Sequence, residues 1–443
     1  MPTADVAVVG AGLAGLLTAI RLAEGGARVV VLAQGNGSIH WAGGPIDLAV
    51  ARGARTATEA LGALAATDGH PYAALGGDLA PALGWFMKLV SDGGLPHAGG
   101  LDQPYGALPT GIGGTRPVSV VPESQASALE PWAPDERLVV VGPPAFKDFW
   151  PRAVAASLGR PGVWVAGSAP ARVDAAVVDL PGLASRRNLN GLRISEAFDD
   201  PAWRGPALDA IARAVDASGP GSVRVGLPAV LGLRDHGGVL RDLAARLGRP
   251  VVELPLVPPG IPGMRLYALL RDALRTRGGR LLLGEPIARV EVDGRRVTAL
   301  STTAATREVV TRVGAVVLAT GGLAGGGLTG DSGGVIRETV LDLPVEGPPI
   351  ERWIVGDPLD PGSMPIAAAG LRADAELRPV DPARPTDGPR FENVHVVGAL
   401  LAGQRQLVER CGDGIAIASA WRAAASLAAG SRPMAAAAGE AHR

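Results

Sequence analysis

Short unbroken apolar runs alternate along most of the chain with stretches in which apolar residues recur every three or four positions. The runs read as buried strands and the spaced patterns as helices, so the alternation predicts an α/β architecture with a largely parallel sheet. The first strand is expected within VAVV at 6–9, and the next from Arg28 to Leu32, with an apolar helical pattern between them. Further buried strands are expected at LVVVG (138–142), GVWVAG (162–167) and SVRVGLP (222–228). From Gly263 the pattern becomes an amphipathic helix, MRLYALLRDALRTRGG, then a strand with a hairpin return, RLLLGEPIARVEVDG, and another buried strand, GAVVLATGG. NVHVVGALLAG at 393–403 predicts one more strand, and CGDGIAIASAW at 411–421 a helix that starts among glycines. Between 51 and 135 the periodicity is broken by Gly, Pro and Ala, notably from Pro104 to Pro122, which predicts a loop-rich excursion.

The chemistry begins where the first strand ends. Gly10, Gly12 and Gly15 stand between a strand and a helix inside a βαβ unit. Gly10 permits the tight turn, Gly12 lets backbone approach a pyrophosphate, and Gly15 lets the helix pack on the strand, with the helix amides and dipole facing the anion. LVVVGPPAF has no such glycines and reads as a core strand instead. About 20 residues beyond the glycines, a dinucleotide site carries Asp or Glu for the ribose hydroxyls. Here VVVL is followed by Ala33 and Gln34. Either Gln34 serves the ribose of a dinucleotide or the ligand is a mononucleotide, which leaves FMN and FAD both open.

At 443 residues the chain is expected to hold two domains. A net charge of −1 offers no broad basic field for nucleic acid. No run reaches the roughly 18 apolar residues of a membrane span, and the N-terminus enters the first strand directly, so a cytoplasmic protein is expected, with membrane contact only through a partner. Cys411 is the single cysteine, which excludes an internal disulfide and a self-contained cysteine-ligated iron–sulfur cluster. Lys88 and Lys147 are the only lysines among 42 basic residues, an arginine excess that reads as codon bias.

The glycine-rich segments at both chain ends make sense as one flavin site. VVLATGG at 316–322 resembles the strand-end motif of two-dinucleotide-binding flavoproteins, with Gly321 and Gly322 giving close approach, while Gly412 and Gly414 start a helix whose amides would face the flavin. The expected architecture is therefore a Rossmann-like FAD/NAD(P)-binding flavoprotein fold with an inserted α/β domain: a discontinuous flavin domain at 1–50, 256–330 and 386–430, an insertion at 51–255, and a connecting or cap segment at 331–385. GSIHWAGGPIDL at 37–48 follows the second strand, where flavoproteins of the succinate and fumarate type place a loop against the flavin, and it nominates Ser38, His40, Gly43 and Gly44.

Over nearly its whole length the chain resembles the B subunit of bacterial anaerobic glycerol-3-phosphate dehydrogenase. The resemblance rests on GAGLAGL, SIHWAGGPIDL, HPYAALG (70–76), PPAFKDF (143–149), ELPLVPPGIPGMRL (253–266), RGGRLLLGE (277–285), VVLATGGLAGGGL (316–328), GVIRETVLDLPV (334–345) and the ENVHVVGALLAG to CGDGIAIASA ending. It implies an FMN-using flavoprotein that works with two partners, a larger flavoprotein (the A subunit) and an iron–sulfur protein (the C subunit). Such a complex oxidises sn-glycerol 3-phosphate to dihydroxyacetone phosphate and passes electrons to quinone. Asp413 departs from the family motif, which tends to be all glycine there. On this reading hydride leaves C2 of the glycerol for the flavin, His40 takes the hydroxyl proton, and Arg187, Arg193 or Arg265 supplies a donor fork for the phosphate. The rivals are a non-catalytic electron-transfer and assembly flavoprotein, and a soluble FAD-dependent reductase of another substrate.

Overall fold

In the computed structural model, which describes residues 3–164, 166–183, 189–304 and 307–430, the opening apolar run forms β1 (Thr3–Val9), followed by α1 (Leu13–Glu24) and β2 (Val29–Ala33). A long helix, α2 (Tyr72–Asp92), precedes a regular alternation: β3 (Arg137–Gly142), α3 (Pro151–Leu158), β4 (Arg172–Val177), α4 (Gly191–Phe198), α5 (Pro201–Asp216), β5 (Val223–Pro228), α6 (His236–Leu247) and β6 (Val251–Leu254). Then come α7 (Ile261–Thr276), β7 (Arg280–Leu283), the hairpin of β8 (Ile287–Asp293) and β9 (Arg296–Ala304), and β10 (Arg307–Leu318). The last labelled elements are β11 (Val394–Val396) and α8 (Gly412–Gly430).

Two compact units share these elements: Met1–Gly37, Gly62–Gly84 and Leu270–Arg443 form the first, Ser38–Leu61 and Trp85–Leu269 the second. In the first, strands run in the order β7-β2-β1-β10-β9-β8, with β11 also beside β10. β1 lies parallel between β2 and β10, in register from Val6 opposite Val29 and Ala315 to Val9 opposite Leu32 and Leu318. Val6 to Val9 are buried, as an unbroken apolar run inside a parallel sheet requires. β10 is long enough to serve two partners on one side, antiparallel β9 along its first half and parallel β11 along Val316–Leu318. α1 packs on α8, with the Arg21 guanidinium 4.2 Å from the centre of the Trp421 ring, so both ends of the described chain meet in one unit.

The second unit has its own sheet, order β6-β5-β3-β4, parallel throughout. With that strand order, the right-handed rule for parallel crossovers puts α3 on one face and α5 with α6 on the other. The connections after the neighbouring strands β3 and β5 therefore leave toward opposite faces, which makes the gap between those strands a topological switch point. The core is built from Val139, Val141, Phe149, Ile211, Val225 and Leu254.

Three sequence expectations are corrected. Val163 and Trp164 form no strand; they are loop residues, held where Trp164 Nε1 donates to Leu158 O at 2.9 Å and its ring meets Trp132 edge-on, and the strand comes later, as β4. The loop-rich stretch 51–135 also holds two helices that the broken periodicity did not predict, Ala57–Ala65 and the 21-residue α2. Pro81 and scattered glycines hid the helical period of α2 from a pattern reading; Gly77 and Gly84 face open space and cost propensity without breaking the helix. The boundaries also differ: 38–50 and 256–269 belong to the second unit, whereas 62–84 and 331–385 belong to the first.

Candidate functional site

In the first unit the β1–α1 turn is shaped by what a side chain would strike. A Cβ on Gly10, whose φ is +114°, would fall 2.2 Å from Ala319 O, and a Cβ on Gly15 would fall 2.1 Å from Gly10 O. Both positions are confined to glycine by backbone. Gly12 differs, since nothing lies within 4 Å of a Cβ there, and it is the point at which the backbone is open to a ligand. Ala319 N donates to Val9 O at 2.8 Å, so the end of β10 lies against the turn. Gly321 (φ +79°) and Gly322 follow, and a Cβ on Gly322 would sit 2.9 Å from Ala399 O in the segment after β11. Beside them, Thr320 Oγ1 is buried without a protein partner. Gly398 donates its amide to Ser419 Oγ of α8 at 2.9 Å, and Gly412 and Gly414 lie in the first turn of that helix. Seven of the nominated glycines are thus in one unit, arranged as a strand-end turn with one open glycine and a helix start. These residues fit a flavin nucleotide. Gln34, in place of the ribose-binding acid, is exposed.

The same unit contains a cluster that the sequence reading passed over. His70 of the HPYAALG motif, Glu409 and Cys411 converge just before α8, with His70 Nε2 3.4 Å from Glu409 Oε2 and Cys411 Sγ donating to it at 3.6 Å. Tyr72 N donates to His70 Nδ1 at 3.1 Å, so the proton sits on Nε2 and faces the carboxylate. His70 Nε2 lies at ion-pair distance from Glu409 but is buried without a hydrogen bond of its own, so the three side chains converge just before α8 with one polar atom left unsatisfied. Burial works to raise the Glu409 pKa, but the His70 donor, the Arg405 amide and Cys411 together hold it below the usual value.

The second unit holds Ser38, His40, Gly43 and Gly44. Ser38–Trp41 is a 3₁₀ turn. Gly260 N donates to His40 O at 2.8 Å and Gly263 N to Ala42 O at 3.1 Å, so the SIHWAGG loop is pinned by the PPGIPGM segment. Gly43 must be small because a Cβ would lie 2.8 Å from Pro255 Cβ. Gly44 has φ +116°, and Gln125 Nε2 donates to Gly43 O at 2.8 Å. The His40 ring meets Tyr267 edge-on at 4.6 Å, and its Nε2 is buried without a protein partner. Burial lowers the His40 pKa, so the imidazole is neutral and able to accept a proton. Gln125 and Tyr267 carry no motif that would have flagged them.

The arginine expectations change. Arg265 is not a free fork for phosphate: Nη1 and Nη2 grip Glu253 at 2.8 and 3.1 Å, and Nε donates to Gly232 O at 2.7 Å, all buried. Ser124 Oγ and Leu231 N also donate to Glu253, and His236 Nε2 lies 3.4 Å from Arg265 Nη1. Arg193 is exposed on α4 and pairs with Glu196 at 3.4 Å. Arg187 lies outside the described residues.

Residues 5–415 match the family described as FAD binding domain. The chain is 30% identical over 429 residues to the B subunit of anaerobic glycerol-3-phosphate dehydrogenase from Yersinia enterocolitica, covering 94% of this chain and 96% of that protein. It is 30% identical over 439 residues to a probable B subunit of the same dehydrogenase from Halobacterium salinarum, covering 96% and 97%. Among solved structures, 3-ketosteroid delta1-dehydrogenase from Sterolibacterium denitrificans aligns over 97% of this chain and 100% of its own at 12% identity and a TM-score of 0.45.

Proposed function

Because the chain belongs to the FAD binding domain family and, within it, to the family of anaerobic glycerol-3-phosphate dehydrogenase B subunits, we propose that it is the flavin-dependent component through which such a complex oxidises sn-glycerol 3-phosphate to dihydroxyacetone phosphate. The observation that carries this reading is the cradle in which Gly10 and Gly15 admit no side chain while Gly12 stays open. When bound, the flavin supplies a two-electron acceptor. The first unit is read as the part that holds the nucleotide; within the second, His40, neutral and with Nε2 unpartnered, is the candidate acceptor for a hydroxyl proton.

The cofactor is read as FAD, in keeping with the family match. FMN is the second reading, favoured by Gln34 where a ribose-binding acid would stand. Releasing the flavin and weighing it separates the two. The partners are read as a second flavoprotein, the A subunit, and an iron–sulfur protein, the C subunit. Relatives named as B subunits imply other members of a complex, and a single cysteine cannot ligate a cluster. No helix among the described residues is long and apolar enough to cross a membrane, so membrane contact is assigned to those partners. Anaerobic addition of sn-glycerol 3-phosphate to the purified flavin-loaded chain should bleach its absorbance. Bleaching that occurs only after the flavoprotein partner is added would instead make this chain an electron-transfer component.

A further inference from the structure

The substrate of the proposed reaction carries a phosphate and hydroxyls, and both arginines first nominated for the phosphate within the described residues are otherwise engaged. Buried polar atoms that no protein group satisfies mark another place for them. In the second unit the segment 40–47, which carries His40, runs alongside 116–125. Arg116 pairs with Asp47, Ile46 N donates to Val120 O at 2.9 Å, and Gln125 Nε2 donates to Gly43 O at 2.8 Å. The contacts fall in antiparallel order, with 116 beside 47 and 125 beside 43. Pro255 braces both segments: a Cβ on Gly43 would lie 2.8 Å from its Cβ, and Gly111 N, in the turn before Arg116's strand Thr115–Val118, donates to Pro255 O at 2.8 Å.

Three buried polar atoms along this strip lack a protein partner among the described residues: His40 Nε2, Gln125 Oε1 and Arg116 Nε. Gln125 is completely shut from water, where an unpaired carbonyl oxygen is costly. A Cβ on Gly44 would lie 2.8 Å from both Gln125 Nε2 and Oε1, so the loop crosses the carboxamide as bare backbone. The Arg116 side chain is 20% exposed, and Asp47 takes its Nη2, which leaves the Nε–H of the fork unanswered. The unpaired groups are ordered by type. An imidazole nitrogen and a carbonyl oxygen accept at the 40–44 end, and a guanidinium donates at the 47 end. Four residues of backbone reach at most roughly 14 Å, so Gln125 and Arg116 flank one small patch. A molecule with hydroxyls at one end and a phosphate at the other matches that order.

On the dehydrogenase reading above, we propose that this strip binds the polar groups of the substrate, with Gln125 Oε1 accepting from a hydroxyl and Arg116 donating to the phosphate. Isothermal titration of the purified flavin-loaded chain with sn-glycerol 3-phosphate and with propyl phosphate, which keeps the phosphate but has neither hydroxyl, tests it. Gln125→Met should weaken sn-glycerol 3-phosphate by about tenfold and leave propyl phosphate unchanged. Arg116→Lys, which keeps a charge for Asp47 but loses the Nε donor, should weaken both by about tenfold. Hydrogen exchange on the wild-type chain needs no variant: saturating sn-glycerol 3-phosphate should slow the amides of 40–47 and 116–125 by about tenfold and leave α5 unchanged. Absence of that protection overturns the proposal, as does a Gln125→Met variant that binds both ligands equally poorly, since Gln125 would then only support the loop. If substrate bleaches the wild-type flavin while both variants bind it like wild type, the strip is not the site and the dehydrogenase reading stands. If the strip is protected and the variants separate the two ligands, yet no bleaching occurs even with the partner proteins present, the site stands and the dehydrogenase reading fails.

Discussion

Arg265 shows how one residue's role turns on a partner that spacing does not reveal. The PPGIPGMRL motif marks it, yet Glu253 on β6 consumes its fork, and both side chains are almost wholly shut from water. Removing only the cation leaves a buried carboxylate with no charge to answer it, so Arg265→Met should cost about 3–5 kcal/mol in chemical denaturation. The double variant Arg265→Met with Glu253→Gln should recover part of that loss. His97 gives a second test at this scale. Burial, only partly offset by its hydrogen bond to Leu95 O, lowers its pKa to about 4. The folded state therefore rejects a proton that the unfolded chain accepts near pH 6.5. The His97 contribution is complete above that value and is lost progressively as pH falls to about 4. Replacing His97 with Gln should flatten the stability profile in that window by about 3 kcal/mol, as measured by denaturant midpoints at pH 7 and pH 4.

At the scale of elements, the strand, turn and helix of the cradle were legible because their constraint is local: an apolar run, then glycines at fixed offsets, then a helical period. The same logic separates the three glycines. Gly10 and Gly15 are fixed by the fold, whereas Gly12 has space for a methyl group and is constrained only by what approaches it. Gly12→Ala should therefore leave the unliganded chain within about 1 kcal/mol of wild type and weaken flavin binding by about tenfold or more, as followed by quenching of flavin fluorescence. A large loss of stability with flavin affinity intact would reverse the roles assigned here. Elements whose signals depend on distant residues were not legible. α2 was hidden because Pro81 and its glycines interrupt a pattern that packing nonetheless sustains. Trp164 was mistaken for a strand residue because an apolar run beside glycines looks the same whether it enters a sheet or, as here, packs on Trp132. The His70, Glu409 and Cys411 cluster joins residues more than 300 positions apart, a separation no local pattern reports.

For the whole molecule, the division of the chain decides where ligand energy is felt. β1, α1, β10 and α8 come from opposite ends of the sequence yet belong to one unit, and that unit contains the cradle; β3 to β6 form a separate sheet with its own core. A ligand that binds only the folded form stabilises what it touches by RT ln(1 + [L]/Kd), about 4 kcal/mol at a thousandfold excess over Kd. Flavin should accordingly slow amide hydrogen exchange most in β1, the β10 end and the first turns of α1 and α8, and in the segment 398–403 that Gly322 approaches. The amides of β3 and β5 should change far less, because their opening is governed by Val139, Val225 and Leu254 rather than by the nucleotide. Exchange followed by mass spectrometry on flavin-loaded and flavin-stripped chain makes the comparison. Protection spread evenly over both sheets would mean that the two units open as one, and protection centred on β3 and β5 would move the nucleotide out of the cradle altogether.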